Sequence, residues 1–411
     1  MEDARRVLVI GLDGGTWNII EPLVREGKLP TIEKLMKNGC YGSLESCIIP
    51  STCPAWKCYS TGKNPGKLGV YWYFGADMEH EKMIVHNSTS FKSDELWDVL
   101  GRNNISCGVL DMPTTYPPKA INGFMVSHSP PRPSGYTYPE DLEKELRDRF
   151  HYKVEPDYRH ELGEDATIIS TRHIIEQRFE AASYLLKKFE PPFFHMTIFD
   201  IDPIQHYYSE KVVEDFWVLI DNEIGSLLDQ CCDEKTYVIL MSDHGQTKKK
   251  CTFQIGKWLM DKDLVTLKRR RLLLGSLLYK LGLRREIVLS VIGRTRIIPL
   301  LKSHIPREIR RRFAAFFPLQ REDFSPQAFE GSIDWGQSKV IPLPGCYFYI
   351  NRKIFSSDQA YEEFKESIIR QIEEIEIPKT GEKLASVVKR EEIYFGKYVE
   401  SAPDIIVLPR E

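Results

Sequence analysis

The sequence predicts an α/β fold with a mostly parallel sheet, and three observations predict it. Short β-branched runs alternate with longer stretches whose apolar residues recur at helical spacing. Those runs end on Asp, Gly or His, the residues that close buried strands at a functional edge. The chain has 411 residues, 42% hydrophobic and 28% charged, enough for a substantial core and too apolar for long disorder.

Residues 5–12, RRVLVIGL, form the first strand, and Pro30-Thr31 opens a helix. A second strand is expected at 106–110, ending at Asp111-Met112-Pro113. Residues 165–189 carry Ile168, Ile169, Ile174, Phe179, Ala182, Leu185 and Leu186 at helical spacing. The segment PPFFHMTIFDID then reads as a strand, 211–230 as a helix, and KTYVILMSDHG as a further strand. After residue 330 the pattern resumes: KVIPLPGCYFYIN is strand-like, 358–376 is an amphipathic helix, and APDIIVLP is the last strand.

Residues 256–325 break this rhythm. They are Leu-rich, and between Lys268 and Arg312 they hold fourteen Lys/Arg against two acids, a local net of +12 in a chain whose total is -3. A solvated helical face is one reading. A cap that attracts a polyanionic substrate, or a patch for anionic lipid headgroups, are the others. The overall charge excludes a globally basic nucleic-acid binder. No run approaches the ~18 apolar residues of a membrane span, and the N-terminus lacks a secretory h-region. The nine cysteines form no CxxC pair, so neither a disulfide framework nor a zinc ribbon is indicated. A cytoplasmic protein is expected.

Three strand ends deliver acids and histidines: Asp13 in VIGLDGG, Asp202 and His206 in FDIDPIQHYY, and Asp243-His244 in ILMSDHG. Asp202 and His206 are four residues apart and share a face of one helical turn. Oxygen and nitrogen ligands of this kind suit zinc or manganese. A single Asp at a strand end is more often a helix cap; three such ends together specify far more. Thr52, after Pro50-Ser51 and before Pro54, falls at a helix start, where its hydroxyl is either a cap or a metal-activated nucleophile.

Together, GLDG, the T-x-P-x-W of 52–56 with TGKNPGK after it, D-x-x-x-H and SDHG resemble the alkaline phosphatase superfamily. The chain is most similar to its type I phosphodiesterase/nucleotide pyrophosphatase branch and to predicted phosphohydrolase/phosphomutase proteins. Segments 112–126, 333–335 and 389–404 extend the resemblance over nearly the whole chain. It implies a three-layer sandwich with helices on both faces of the sheet. Residues 1–255 and 326–411 would form the catalytic core, and 256–325 a basic helical insertion or cap. It also implies two divalent metal ions, usually zinc, with manganese compatible. Asp13, Thr52, Asp243 and His244 would hold one, and Asp202, His206 and a third histidine the other. Thr52 would attack phosphorus and form a phospho-threonyl intermediate that water hydrolyses. Transfer to another hydroxyl, as in a phosphomutase, is the alternative within enzymes. A binding protein lacking the last ligand is the alternative outside them.

Three departures from the family pattern stand out. No Gly-x-His follows Asp404: either the sequence is C-terminally incomplete or another residue takes the third histidine's place, for which His128 and His304 are candidates that read more readily as surface or supporting residues. Leu68 stands where the branch often has His. Tyr73 stands near the place of a phosphate-contacting Asn in nucleotide pyrophosphatases, so a nucleotide-type donor is not expected there. The sulfatase C-x-P-x-R motif is excluded, because Thr52 and Trp56 occupy its Cys and Arg positions and Cys53 is one residue out of register. Lys63 and Asn64 could reach a phosphate but read better as turn residues. Trp56, Trp72 and Tyr73 read either as walls of a substrate cleft or as ordinary aromatic residues of an α/β core.

Overall fold

A computed structural model of the chain describes residues 6–128, 134–154, 164–253, 255–268, 333–343, 345–378 and 380–410. Residues 269–325 of the basic segment lie outside them, as does His304 within it, and so do 326–332 beyond it. The described residues belong to two compact units. The first draws on Met1–Tyr73, His86–Lys250 and Ile393–Ala402, and the second on Phe74–Val85, Cys251–Glu392 and Pro403–Glu411.

The first unit is built on a six-stranded sheet. Its strands are β1 (Arg6–Leu12), β4 (Cys107–Met112), β5 (Gly123–Ser127), β6 (Thr137–Tyr138), β7 (Phe193–Ile198) and β8 (Thr236–Met241), in the order β6-β5-β4-β7-β1-β8. Every neighbouring pair is parallel except β5 with β6. β1, β4 and β7 are buried almost end to end, which is why they read as continuous apolar runs without alternation. β4 runs through Asp111 to Met112, two residues beyond the expected 106–110.

Alternate residues of β1 feed two separate cores. Leu8, Ile10 and Leu12 pack with α1 (Trp17–Arg25), α2 (Pro30–Asn38), α7 (Glu164–Phe189) and α9 (Glu210–Cys231). Val7 and Val9 face α3 (Thr52–Thr61) and α5 (Leu96–Arg102) through Trp56 and Trp97. Helices therefore cover both faces of the sheet, as expected. Pro30 is the first residue of α2, and buried Asp221 of α9 accepts the Thr31 and Ile32 N–H groups at 3.0 and 2.8 Å. The short α4 (Pro65–Leu68), α6 (Asp141–Phe150) and α8 (Ile201–Tyr207) complete the unit.

The second unit holds the hairpin β2 (Phe74–Asp77) and β3 (Lys82–Val85), then α10 (Ile255–Asp261), β9 (Val340–Pro342), β10 (Tyr347–Ile350), β11 (Ala385–Lys389), β12 (Ile405–Pro409) and a helix at Asp358–Glu373. Its four-stranded sheet, β11-β12-β10-β9, is antiparallel throughout. KVIPLPGCYFYIN is thus not one strand. β9 ends at Pro342, and β10 begins at Tyr347 and pairs antiparallel with it. Asp404 of the APD segment is buried and structural: it accepts the Ile350 N–H at 2.7 Å and pairs with Tyr361 and Arg390. Among the described residues, no helix is long and apolar enough to cross a membrane.

Candidate active site

The carboxyl ends of β1, β7 and β8 lie side by side, and each delivers part of one cluster. β1 ends at Leu12, so Asp13 is the first residue beyond the strand and is fully buried. β8 ends at Met241, and Asp243-His244 follow within three residues. Asp202 and His206 sit on α8, directly after β7, with His206 Nε2 3.4 Å from Asp202 Oδ2. Thr52 is the first residue of α3, and Ser51 before it is extended.

These segments meet around the Thr52 hydroxyl. Its Oγ1 donates to Asp13 Oδ1 at 3.3 Å and lies 3.2 Å from His244 Nε2. His244 Nε2 is in turn 3.7 Å from Asp13 Oδ1 and 3.3 Å from Asp243 Oδ2. Asp13, Asp243 and His244 bring their ligand atoms within 4.8 Å of one another, a spacing that can hold a cation. Asp202 and His206 pair with each other; among the described residues no third histidine, cysteine or acid closes a group of three with them. His128 does not fill that role. Its Nδ1 is 3.1 Å from Asp111 Oδ1 and its ring packs on Phe199.

The electrostatics follow from burial. Asp13 is held well above the ordinary carboxyl range, first by desolvation and then by the negative charges of Asp243 and Asp202. Asp243 is also raised, chiefly by burial, and its Oδ2 accepts no hydrogen bond. His206 is raised because its ring bonds to Asp202. None of the ion pairs of Asp13, Asp202 and Asp243 among the described residues is with Lys or Arg. Closely spaced buried carboxylates with no internal cation fit a divalent metal ion.

Several supporting residues escaped the sequence reading. Trp56 does not wall a cleft; it is fully buried, and its indole N–H donates to Asp13 Oδ2 at 2.8 Å. That ring lies against β1 so closely that a Cβ at Gly11 would come 2.4 Å from Trp56 Cη2, so only glycine fits there. Gly14 has φ +67°, and a Cβ on it would come 2.8 Å from Asp202 Oδ1. Gln246 donates to Asp202 Oδ1, and Gln205 donates to the Gly14 carbonyl at 2.9 Å. Ser46 Oγ donates to the Asp243 carbonyl at 2.6 Å. Burial first, then the charge of Asp13, holds the Tyr73 phenol well above its ordinary pKa. The Asp13-Gly14-Gly15 turn after the first strand hints at such crowding, but nothing in the sequence pairs Trp56 or Gln246 with an acid. Asn64 behaves as the turn residue expected, accepting from the Gly66 N–H at 2.9 Å.

Residues 7–307 match the model of the family described as type I phosphodiesterase / nucleotide pyrophosphatase. The chain belongs to that family. Membership makes it a metal-dependent phosphohydrolase, and the SDHG and GLDG ends described above lie within the matched residues. Among solved structures, phosphonoacetate hydrolase from Sinorhizobium meliloti 1021 is similar in two complexes. One, with phosphonoformate, has a TM-score of 0.61 and the other, with phosphonoacetate, 0.60; each has 12% identity and covers 100% of this chain and 82% of that one. A variant of the alkaline phosphatase PafA is similar at a TM-score of 0.52 and 12% identity, over 99% of this chain and 86% of that one. At these identities the likeness establishes the fold alone, an alkaline-phosphatase-like α/β fold. No curated protein matches the chain.

Proposed function

We propose that this phosphodiesterase-family chain cleaves a phosphodiester or pyrophosphate with Thr52 as nucleophile. One observation carries the reading: the Thr52 hydroxyl sits at a helix N-terminus within 3.3 Å of both Asp13 and His244. A cation held by Asp13, Asp243, His244 and Thr52, zinc or manganese by its ligand set, would supply Lewis acidity and a lowered Thr52 pKa. Asp202 and His206 would hold a second, with Gln246 already engaged on Asp202.

The chain's own groups supply the rest. Trp56 fixes Asp13 through Oδ2, leaving Oδ1 to orient the Thr52 hydroxyl. The new Thr52 O–P bond forms as the bond to the leaving alcohol or phosphate breaks. Water then attacks phosphorus and restores the hydroxyl. The N-terminal N–H groups of α3 favour the negative charge that develops beside Thr52. The basic segment 256–325, of which 269–325 lie outside the described residues, we assign to contact with a polyanionic substrate or anionic lipid.

The test compares p-nitrophenyl phosphate with bis-p-nitrophenyl phosphate as substrates of the metal-loaded chain. The diester is expected to turn over faster, EDTA to remove the activity, and Thr52→Ala to abolish it. A metal-loaded protein that cleaves neither ester would overturn the reading.

A further inference from the structure

His128 is the first residue beyond β5, at the carboxyl end of the sheet, and it is held from three sides. Its Nδ1 lies 3.1 Å from Asp111 Oδ1, its ring packs on Phe199 with centroids 4.4 Å apart, and its backbone N–H donates to Thr115 Oγ1 at 3.3 Å. Asp111 is itself fixed: it is fully buried and pairs with Arg178. It also stands where the β4–β5 register slips, between Leu110 opposite Val126 and Met112 opposite Ser127. Its φ of +59° is a conformation that residues other than glycine seldom adopt. Bulges of this kind re-aim a side chain, and strained residues cluster at functional sites. Here the carboxylate so placed meets both Arg178 and His128.

That support leaves Nε2. The His128 side chain is 14% exposed, and among the described residues Nε2 makes no hydrogen bond. A carboxylate ion-paired with Arg178 only accepts, so the neutral ring carries its proton on Nδ1 and presents Nε2 as an acceptor. Strand order sets that nitrogen against the chemistry. Thr52 meets Asp13 and His244 beyond β1 and β8, whereas Asp202 and His206 follow β7. Attacking and leaving oxygens stand roughly in line in phosphoryl transfer. With Thr52 attacking from the β1 and β8 side, the leaving group departs over β7. The next strands outward are β4 and β5, each about 4.8 Å further on. Phe199 is the residue after β7, so the His128 ring leans back toward the strand nearest the departing oxygen.

We propose that His128 is a specificity residue whose Nε2 accepts a hydrogen bond from a hydroxyl of the leaving alcohol, so that the preferred substrates are phosphodiesters of polyhydroxylated alcohols such as glycerol or a sugar. The inference deepens the function proposed above and rests on it for the direction of attack. Asp111 and Phe199 act through His128 and are positioning residues. A site built to bond a substrate hydroxyl discriminates against the analogue that lacks it, because its own polar group is then left unpaired. Water reaches a partly exposed Nε2 and takes the hydroxyl's place, so the preference is about 10-fold here and not the roughly 10,000-fold of closed sites.

The experiment uses the full, metal-loaded chain and two symmetric diesters, in which either bond releases the same alcohol. Bis(2,3-dihydroxypropyl) phosphate releases glycerol, and dipropyl phosphate releases an alcohol without the extra hydroxyls. Turnover is followed by phosphorus NMR, and the ratio of the two kcat/KM values is read. The wild-type ratio should favour the glycerol ester by about 10-fold. His128→Phe keeps a ring against Phe199 and removes both nitrogens, and its ratio should fall to about 1. Should that variant not fold, His128→Ala carries the same expectation. His128→Gln offers an amide oxygen and should restore part of the preference. A merely structural histidine would lower both esters alike and leave the ratio where it was. A wild-type ratio near unity overturns the proposal, as does a ratio that His128→Phe leaves unchanged. If the metal-loaded protein cleaved neither these esters nor bis-p-nitrophenyl phosphate, the phosphoesterase reading would fail by itself. Calorimetric binding of the two diesters would then decide this one: tighter binding of the glycerol ester that His128→Phe removes sustains it, and equal binding overturns it.

Discussion

Two groups of buried carboxylates stand at the carboxyl ends of the same sheet, and the fold treats them in opposite ways. Asp111 of β4 and Asp200 after β7 close on Arg178 of α7, which forms an ion pair with each and also donates to the Val154 carbonyl at 2.9 Å. Burial works against the Arg178 charge, yet the two acids outweigh it and hold the guanidinium above its ordinary pKa. His128 leans on the same Asp111. Asp13, Asp202 and Asp243, on neighbouring strand ends, lie with histidines, a tryptophan N–H and a glutamine amide, and among the described residues no arginine or lysine pairs with them. The first group is finished by the chain itself. Among the described residues the second keeps no such cation, and under the function proposed above a bound metal ion would balance it.

The largest effects should separate the two groups by kind. Arg178→Met leaves Asp111 and Asp200 buried without their cation and should cost about 3–5 kcal/mol of stability, read as a lower urea midpoint. Asp13→Asn removes a carboxylate that burial and its neighbours already disfavour. In metal-depleted protein its urea midpoint should hold or rise, while turnover of the metal-loaded enzyme falls at least about 1,000-fold. If Asp13→Asn unfolded the protein as readily as Arg178→Met, the two groups would be the same kind of structure and the contrast would be broken.

A pH series sharpens it next. Asp13 and Asp243 have folded pKa values above the ordinary carboxyl value of 3.8. Between that value and the raised ones the folded state binds more protons than the unfolded state. Stability of metal-depleted protein should therefore fall as pH rises through that window. A divalent ion replaces those protons, so its stabilising shift in Tm should grow with pH. In Asp13→Asn the slope should flatten. A Tm of metal-depleted protein that climbed steadily from pH 4 to pH 8 would contradict the raised carboxyls.

Much of this was legible in the sequence, for a physical reason. A parallel strand buried on both faces shows as an uninterrupted apolar run, and its end is marked by the first polar residue, so Asp13, Asp202 and Asp243 could be placed at strand ends. Thr52 could be placed at a helix start because Pro50-Ser51 precede it and Pro54 follows. Partners that depend on how elements cross were not legible. Trp56 meets Asp13 only because α3 lies across β1 at Gly11. Arg178 meets Asp111 from 67 positions away. Residues 339–351 show why strand type is harder than strand existence: apolar content survives a chain reversal, so a hairpin in an antiparallel sheet reads like one parallel strand.

The smallest effect is the most specific. Trp56→Phe keeps most of the ring's volume and its packing on Gly11, and removes a single N–H from Asp13 Oδ2. Both groups are fully buried, so no water is at hand to replace that bond. Two consequences follow. Asp13 loses a donor that lowers its pKa and rises further, so protons compete better with a metal ion. The carboxylate also loses the contact that keeps Oδ1 directed at Thr52. Partners of this kind behind a metal ligand are worth about 10- to 100-fold in affinity or activity. Trp56→Phe should therefore weaken metal binding by that factor, and the loss should be steepest at low pH, where proton competition is strongest. A purely structural tryptophan would lower Tm without moving the pH profile of metal affinity. A Trp56→Phe protein with wild-type metal affinity at every pH would show that Asp13 is positioned by its neighbours on β7 and β8 and owes nothing to α3.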